Sequence, residues 1–222
     1  MSSEFYLARS FIASQILGDG SFRNGSLDIC HSDKYIDYLA WKREVAQDYG
    51  LRVTDISQCA PLQTNVGILQ TRARFLVSGI PAQYKNVDPV DLVGDLTPLG
   101  LLLWWLDDGS MIVHEKRNGQ SVARFGYLNT QAFDEATNKR LSDKVFDKFG
   151  LDLKVHVDRG SISDRNAVYH RLYFNASALR LLIDIVREHV TSVPLSMRYK
   201  LNMQYRPNRL KSSDLFSRQY NF

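Results

Sequence analysis

Two aspartates stand in near-identical settings: Asp19 near the end of FIASQILGDGSF (residues 11–22) and Asp108 near the end of LGLLLWWLDDGSM (residues 99–111). Each closes an apolar, helix-like run and is followed by a glycine and a serine, Gly20-Ser21 and Gly109-Ser110. In the first run Ser10, Ser14 and Gly18 recur at i, i+4 and i+8, a face of small side chains that lets two helix backbones approach closely. If the two runs pack side by side, Asp19 and Asp108 emerge together at the negative ends of two helix dipoles. Carboxylates placed there repel unless a cation lies between them. Oxygen-only ligation favours Mg²⁺ or a similar hard divalent ion. A single D-G-S after an apolar helix is an ordinary cap, its glycine suited to a left-handed helix stop; the second copy is what makes a paired-carboxylate site the expectation.

The elements that must position these aspartates also repeat. A unit of roughly 90 residues occurring twice predicts two similar halves related by an approximate twofold axis. After Asp19, residues 21–31 read as a hairpin turning at Asn24-Gly25, with Leu27 and Ile29 alternating against Ser26, Asp28 and Cys30. A helix follows, N-capped by Ser32, with Tyr35, Ile36, Leu39, Val45 and Ala46 as its inner stripe and Gly50 as its stop. Residues 51–59 and 62–71 read as strands around Pro61, and residues 72–83 as a short helix. Residues 84–95 are broken by Pro89 and Gly94 and read as a linker. The second half opens on Thr97-Pro98, an N-cap with proline at the first helical position. Strands are expected near 110–115 and 122–130. Residues 133–149 form an amphipathic helix buried through Phe133, Ala136, Leu141, Val145, Phe146 and Phe149, with Gly150 as its stop. Two more strands, near 151–158 and 167–174, lead to a helix over 176–189 capped by Asn175.

This order predicts an α+β fold: a tandem α-ββ-α-ββ-α repeat with two antiparallel sheets, each covered by helices on one face. The open faces must be polar and must meet something. Alternation assigns to them Arg23, Ser26 and Asp28 in the first half, and His114, Lys116, Arg124, Lys154, His156, Arg159, Arg171 and Tyr173 in the second. Such a mixture suits DNA, where arginine reads guanine and acids accept from cytosine, and equally describes a plain solvated sheet face.

Composition agrees with this without deciding it. Apolar residues at 44% and charged residues at 23% describe a globular chain. A formal charge of +4 permits a nucleic-acid partner. Basic residues gather late, where Arg198, Lys200, Arg206, Arg209, Lys211 and Arg218 face one acid, Asp214. Cys30 and Cys59 make neither a disulfide framework nor a zinc site, and read as reduced thiols of an intracellular protein. The run 99–106 is too short to span a bilayer, and residues 1–6 lack the form of a signal peptide.

The two aspartate-ending stretches resemble diverged copies of the motif that names the LAGLIDADG homing endonucleases, in the single-chain branch carrying two motifs. The resemblance extends through Leu96-Thr97-Pro98, residues 104–110, Leu128-Asn129-Thr130-Gln131 and VPLSMRYKL (residues 193–201), and is strongest from Leu96 onward. It implies a DNA-binding saddle with the motif helices at the interface of the halves, residues 1–84 and 97–205, joined by a linker at 85–96 and followed by a basic tail at 206–222. It implies that Asp19 and Asp108 bind Mg²⁺ jointly, with carbonyls of Gly18 and Asp107 beside them, and that Mn²⁺ or Ca²⁺ can substitute for binding. Gln131 matches a water-ordering glutamine, and the corresponding first-half position falls on His31. Lys200 matches a catalytic lysine. Its first-half counterpart falls on Asn86, with Lys85 one residue earlier, and a loop shifted by one residue would give Lys85 the role. Arg198, in the same late basic stretch as Lys200, joins the DNA-contacting set. The activity implied is a monomeric, Mg²⁺-dependent, site-specific endonuclease, intron-encoded, making double-strand breaks with short 3′ overhangs at a long target. Its compartment would be an organellar matrix for an organelle intron, otherwise cytoplasm or nucleoid. The alternatives on this fold are an RNA maturase acting on its own intron RNA and a DNA-binding regulator without cleavage; intact Asp19 and Asp108 favour the nuclease.

Overall fold

The computed structural model describes residues 3–23, 25–63, 67, 69–115, 121–159 and 168–203. Two antiparallel sheets carry helices on one face each. The first half runs α1 (Ser3–Leu17), β1 (Gly20–Arg23), β2 (Ser26–Ser32), α2 (Ile36–Asp48), β3 (Arg52–Val53), β4 (Ser57–Gln63) and β5 (Leu69–Ser78). A helical connection, α3 (Pro89–Asp95), leads to α4 (Pro98–Asp108), β6 (Gly109–Glu115), β7 (Ser121–Leu128), α5 (Glu135–Phe149), β8 (Lys154–Arg159), β9 (Val168–Asn175) and α6 (Ala176–Val186).

The two motif helices, α1 and α4, pack against each other at the interface through the small-residue face. The Ser10 hydroxyl accepts from the Thr97 amide at 2.8 Å and lies 2.9 Å from the Thr97 hydroxyl. Gly100 is required there because a Cβ would collide with Ser10 Oγ. Lower down, a Cβ on Gly18 would stand 2.6 Å from Asp107 Oδ2. Arg9 clamps the start of the pair by donating to both oxygens of Asp95, at 2.6 and 3.2 Å. Phe11, Ala13 and Leu101–Leu106 are buried on either side, so one continuous core joins the halves.

Several expected devices are present. Thr97 accepts from Gly100 N at 3.2 Å, Asn175 accepts from Ser177 N and Ala178 N, and Gly150 stops α5 at φ 70°. Other details differ. Residues 72–83 are not a helix: β5 runs to Ser78 because Ala73, Phe75 and Val77 alternate inward, and only a 3-10 turn at Ala82–Asn86 follows. The supposed linker holds α3, capped by Asp88 with Pro89 at its first turn and tied to α5 by the Asp88–Arg140 ion pair. Ser32 makes no capping bond, because a 3-10 turn at Asp33–Tyr35 precedes α2. Phe146 is 55% exposed, outside the buried stripe of α5. Gly20 and Gly109 are not left-handed stops, since neither has positive φ; each gives the chain room to turn from helix into strand.

Candidate active site

The convergence of α1 and α4 brings three carboxylates together, not two. Asp19 follows α1, and Asp107 and Asp108 end α4. The Asp107 side chain is fully buried and crosses to the other half, filling the space left by the missing side chain of Gly18. There its Oδ1 accepts from Lys42 Nζ at 2.6 Å and from the Tyr38 hydroxyl at 2.7 Å, while Oδ2 takes the Asp19 amide at 3.4 Å. Lys42 is itself completely buried on α2. Burial alone would push Asp107 up, but Lys42 and the Tyr38 hydroxyl hold it below the usual carboxylate range.

Lys42 also donates to His31 Nε2 at 3.0 Å. That nitrogen must therefore be the acceptor, which places the imidazole proton on Nδ1, 3.5 Å from Asp19 Oδ2. Burial, reinforced by the charge of Lys42, lowers His31 to about 3, so the ring is neutral. Lys200 approaches from the C-terminal side, donating to the carbonyls of Leu106 and Asp107 at 2.6 and 2.9 Å and so capping α4. Burial lowers its pKa against the opposing pull of the three carboxylates.

Asp19 and Asp108 are left short of positive charge. Burial, then the charge of Asp107, raises Asp19 to about 6 despite Lys42 and Lys200; Asp19 remains 39% exposed at its side chain. Burial, then Asp107 and Asp19, raises Asp108 to about 7. The under-compensated oxygens of exposed Asp19 and half-buried Asp108 fit a hard divalent cation. Atoms of Asp19, His31 and Asp107 also lie within 4.8 Å of one another. Asp107 Oδ1 and His31 Nε2 are already occupied by Lys42, however, so this second grouping is a hydrogen-bonded network and not a ligand set.

The remaining expected residues fall as follows. Gln131 lies in the turn after β7, two residues beyond Asn129, whose amide donates to the Asp108 carbonyl at 3.0 Å. His31 is not the counterpart of Gln131. Gly20 pairs with Ile29 and Gly109 with Leu128, so two residues on, His31 matches Thr130, and Ser32 matches Gln131. Lys85 is exposed and neighbours Tyr84, which interacts with Arg9 and Asp95 at the start of the helix pair. Arg9 to Asp19 along α1 is about 15 Å at the helical rise. The cations acting most strongly on Asp19 and Asp108 are Lys42, which stands on α2, and Lys200.

On the open faces, Arg23 pairs with Ser26, Lys154 with Tyr173, and His156 with Arg171, each pair sharing one side of its sheet as expected. Asp28 is buried beside Arg74 at 3.2 Å and keeps Oδ1 without a hydrogen-bond partner. Arg72 and Arg74, on the stretch expected to be helical, join this face of β5. Arg124 is exposed at a register shift between β6 and β7, where strict alternation fails: Gly126 and Leu128 face the core. Arg198 is spent on the carbonyls of Val193 and Thr191 at 2.7 and 2.8 Å. Lys116, the side chains of His114 and Arg159, and the tail from residue 204 lie outside the described residues. The two thiols meet, Cys30 Sγ lying 3.0 Å from Cys59 Sγ, and burial with that neighbour pushes Cys30 up to about 12.

The chain belongs to the LAGLIDADG DNA endonuclease family, whose description matches residues 9–182. It is similar to the protein named RecA of Mycolicibacterium fallax, 29% identical across 88% of this chain and 46% of that protein, and to RecA of Mycobacterium leprae, 28% identical across 88% of this chain and 28% of that one. It thus spans less than half the length of these relatives. It is also 28% identical to the uncharacterized protein MJ1098 of Methanocaldococcus jannaschii, over 93% of this chain and 78% of that protein. In fold it resembles the homing endonuclease I-WcaI, solved bound to its DNA recognition sequence, with a TM-score of 0.67 and 17% identity over 92% of this chain and 90% of that chain.

Proposed function

We propose that the chain is a Mg²⁺-dependent, sequence-specific endonuclease that cuts both strands of a long duplex target, leaving short 3′ overhangs, as an intron-encoded homing enzyme does. The observation that carries this is the charge imbalance at the helix ends: three carboxylates face two lysines, Lys42 buried and Lys200 half-buried, and the two less protected acids are raised to about 6 and about 7. A purely structural cluster would gain from protonation or loss of one acid. A site awaiting a divalent cation needs all the negative charge it holds.

Asp19 and Asp108 are the side chains that would hold the ion, with the carbonyl of Gly18 beside them. The metal supplies an activated water and a counter-charge for the phosphate and the leaving oxygen. The chain's own groups do the rest. Asp107 stays ionised under Lys42 and Tyr38 and fixes the Asp19 backbone through its amide. His31 presents its Nδ1 proton to Asp19 and keeps that carboxylate oriented. Lys200, anchored to the end of α4, puts a positive charge where the phosphate gains negative charge, a contact that acts on rate more than on affinity. Gln131, in the turn after β7, orders water.

The test uses the duplex obtained by joining the DNA on either side of the reading frame, incubated with the purified chain in Mg²⁺ or in EDTA. The expected result is a break at or near the junction with short 3′ overhangs, in Mg²⁺ alone. Equal cutting in EDTA, or stable binding with no cutting in Mg²⁺, would contradict the proposal.

A further inference from the structure

The open faces of the two sheets differ in kind. On the first, Arg23, Ser26 and Arg72 offer hydrogen bonds, Arg74 stands beside Asp28 with its side chain 40% exposed, and Leu76 lies opposite Asp28. On the second, Tyr127 of β7 stands opposite Tyr173 of β9 with ring centroids 5.7 Å apart. Phe125 lies 5.5 Å from Tyr127 and 5.7 Å from Tyr173, and His156 of β8 lies 5.1 Å from Tyr127. Ile112, 45% exposed, stands opposite Phe125 and extends this apolar surface. The guanidinium of Arg171 is laid over Tyr127 at 3.6 Å from the ring centroid and paired with Asp158 at 3.2 Å. It is a fixed part of the platform and not a free reader of guanine. Lys154 and Arg124 are exposed on the same sheet.

We infer that the second sheet recognises its half of the target through thymine methyl groups, while the first sheet reads by hydrogen bonds. The inference rests on the proposal that the chain binds duplex DNA. Base-edge donors and acceptors pressed against rings lose water and gain no partner, which costs free energy. The C5-methyl of thymine is the one apolar group that an unmodified base pair shows in the major groove. The ring faces and Ile112 therefore match the thymine methyl better than they match a polar base-edge group. The exposed cations on that sheet suit flanking phosphates, which favours a nucleic-acid duplex over an apolar protein partner.

The experiment selects bound duplexes from a randomised library with the wild-type chain in Ca²⁺, then replaces each selected thymine by deoxyuridine, which removes the methyl alone. The expected result is one thymine-rich half-site, with binding weakened about threefold to fivefold per deleted methyl in that half and unchanged in the other. Tyr173→Gln should flatten the thymine preference of that half-site, and Arg74→Ala should relax the opposite half-site. Tyr173→Leu keeps the apolar surface and should retain the preference, which separates loss of recognition from loss of folding. Specific binding that is indifferent to deoxyuridine everywhere would overturn the inference, as would a methyl-sensitive half-site that coincides with the one altered by Arg74→Ala. Failure to select any sequence would instead overturn the DNA-binding proposal beneath it.

Discussion

At the scale of single residues, the site is a problem in charge compensation. Asp19 and Asp108 bind protons more tightly in the folded chain, at about 6 and about 7, than in the unfolded one, where a carboxylate titrates near 3.8. Between about pH 4 and pH 7 the folded state therefore holds more protons, so the metal-free protein loses stability as pH rises through that window and levels off above it. Mg²⁺ needs the deprotonated acids, so its stabilising effect should grow over the same range. Thermal melts in Mg²⁺ and in EDTA should differ clearly near pH 8 and little near pH 5.5; an equal shift at both would argue against ligation by these two groups. Lys42 offers a second check. Lys42→Met leaves Asp107 buried without a direct cationic partner and should cost about 3–5 kcal/mol in denaturant unfolding. Lys85→Met should leave stability within about 0.5 kcal/mol and both strand-cleavage rates unchanged. A selective slowing of one strand by Lys85→Met would restore the role that the motif resemblance implied for it. Asp19, Asp108 and Lys200 are legible from their motifs, whereas Lys42 belongs to no motif. Helical spacing marks it instead: position 42 falls between Leu39 and Val45, and four residues after Tyr38, on the inner stripe of α2. A lysine on a buried stripe requires an acid, and the acid is Asp107.

At the scale of elements, the close approach of α1 and α4 does the positioning. Ser10, Ser14 and Gly18 could be read as a contact face because helical spacing places them together; what could not be read was what Gly18 makes room for. Gly18→Ala would drive a methyl group to 2.6 Å from Asp107 Oδ2, where the carboxylate is held by Lys42 and Tyr38 and cannot easily yield. The expected loss is about 1–3 kcal/mol in urea unfolding, with cleavage reduced further than binding. Stability and cleavage both at wild-type level would show that the Asp107 crossing is not needed. The β5 strand shows where local patterning misled. The expected strand stops at Thr71 and a helix is expected over 72–83, yet Ala73, Phe75 and Val77 are a period-two core face. Extending the alternation by three residues would have placed Arg72 and Arg74 on the open side. Likewise, alternation carried unbroken across the register shift in β7 selected Arg124 but missed Phe125 and Tyr127.

At the scale of the whole molecule, the repeat predicted the pseudo-twofold and the structure breaks it in detail. The first half supplies Lys42 and His31 around Asp19, whereas Lys200 of the second caps α4 beside Asp108. One chain thus carries both halves of the site, so a single chain should occupy one duplex, and sedimentation of the complex should give that stoichiometry. Affinity should fall steeply with salt as phosphate contacts release counterions. Two chains per duplex, or affinity indifferent to salt, would be inconsistent with this arrangement. The central claim, that both helix-terminal aspartates are needed for chemistry and neither for recognition, is tested most directly by one assay. An end-labelled target duplex is incubated in Mg²⁺ with Asp19→Asn and with Asp108→Asn, and double-strand cleavage and specific binding are measured side by side. Each variant should bind close to wild type and make no double-strand break; near-native cutting by either would contradict the account.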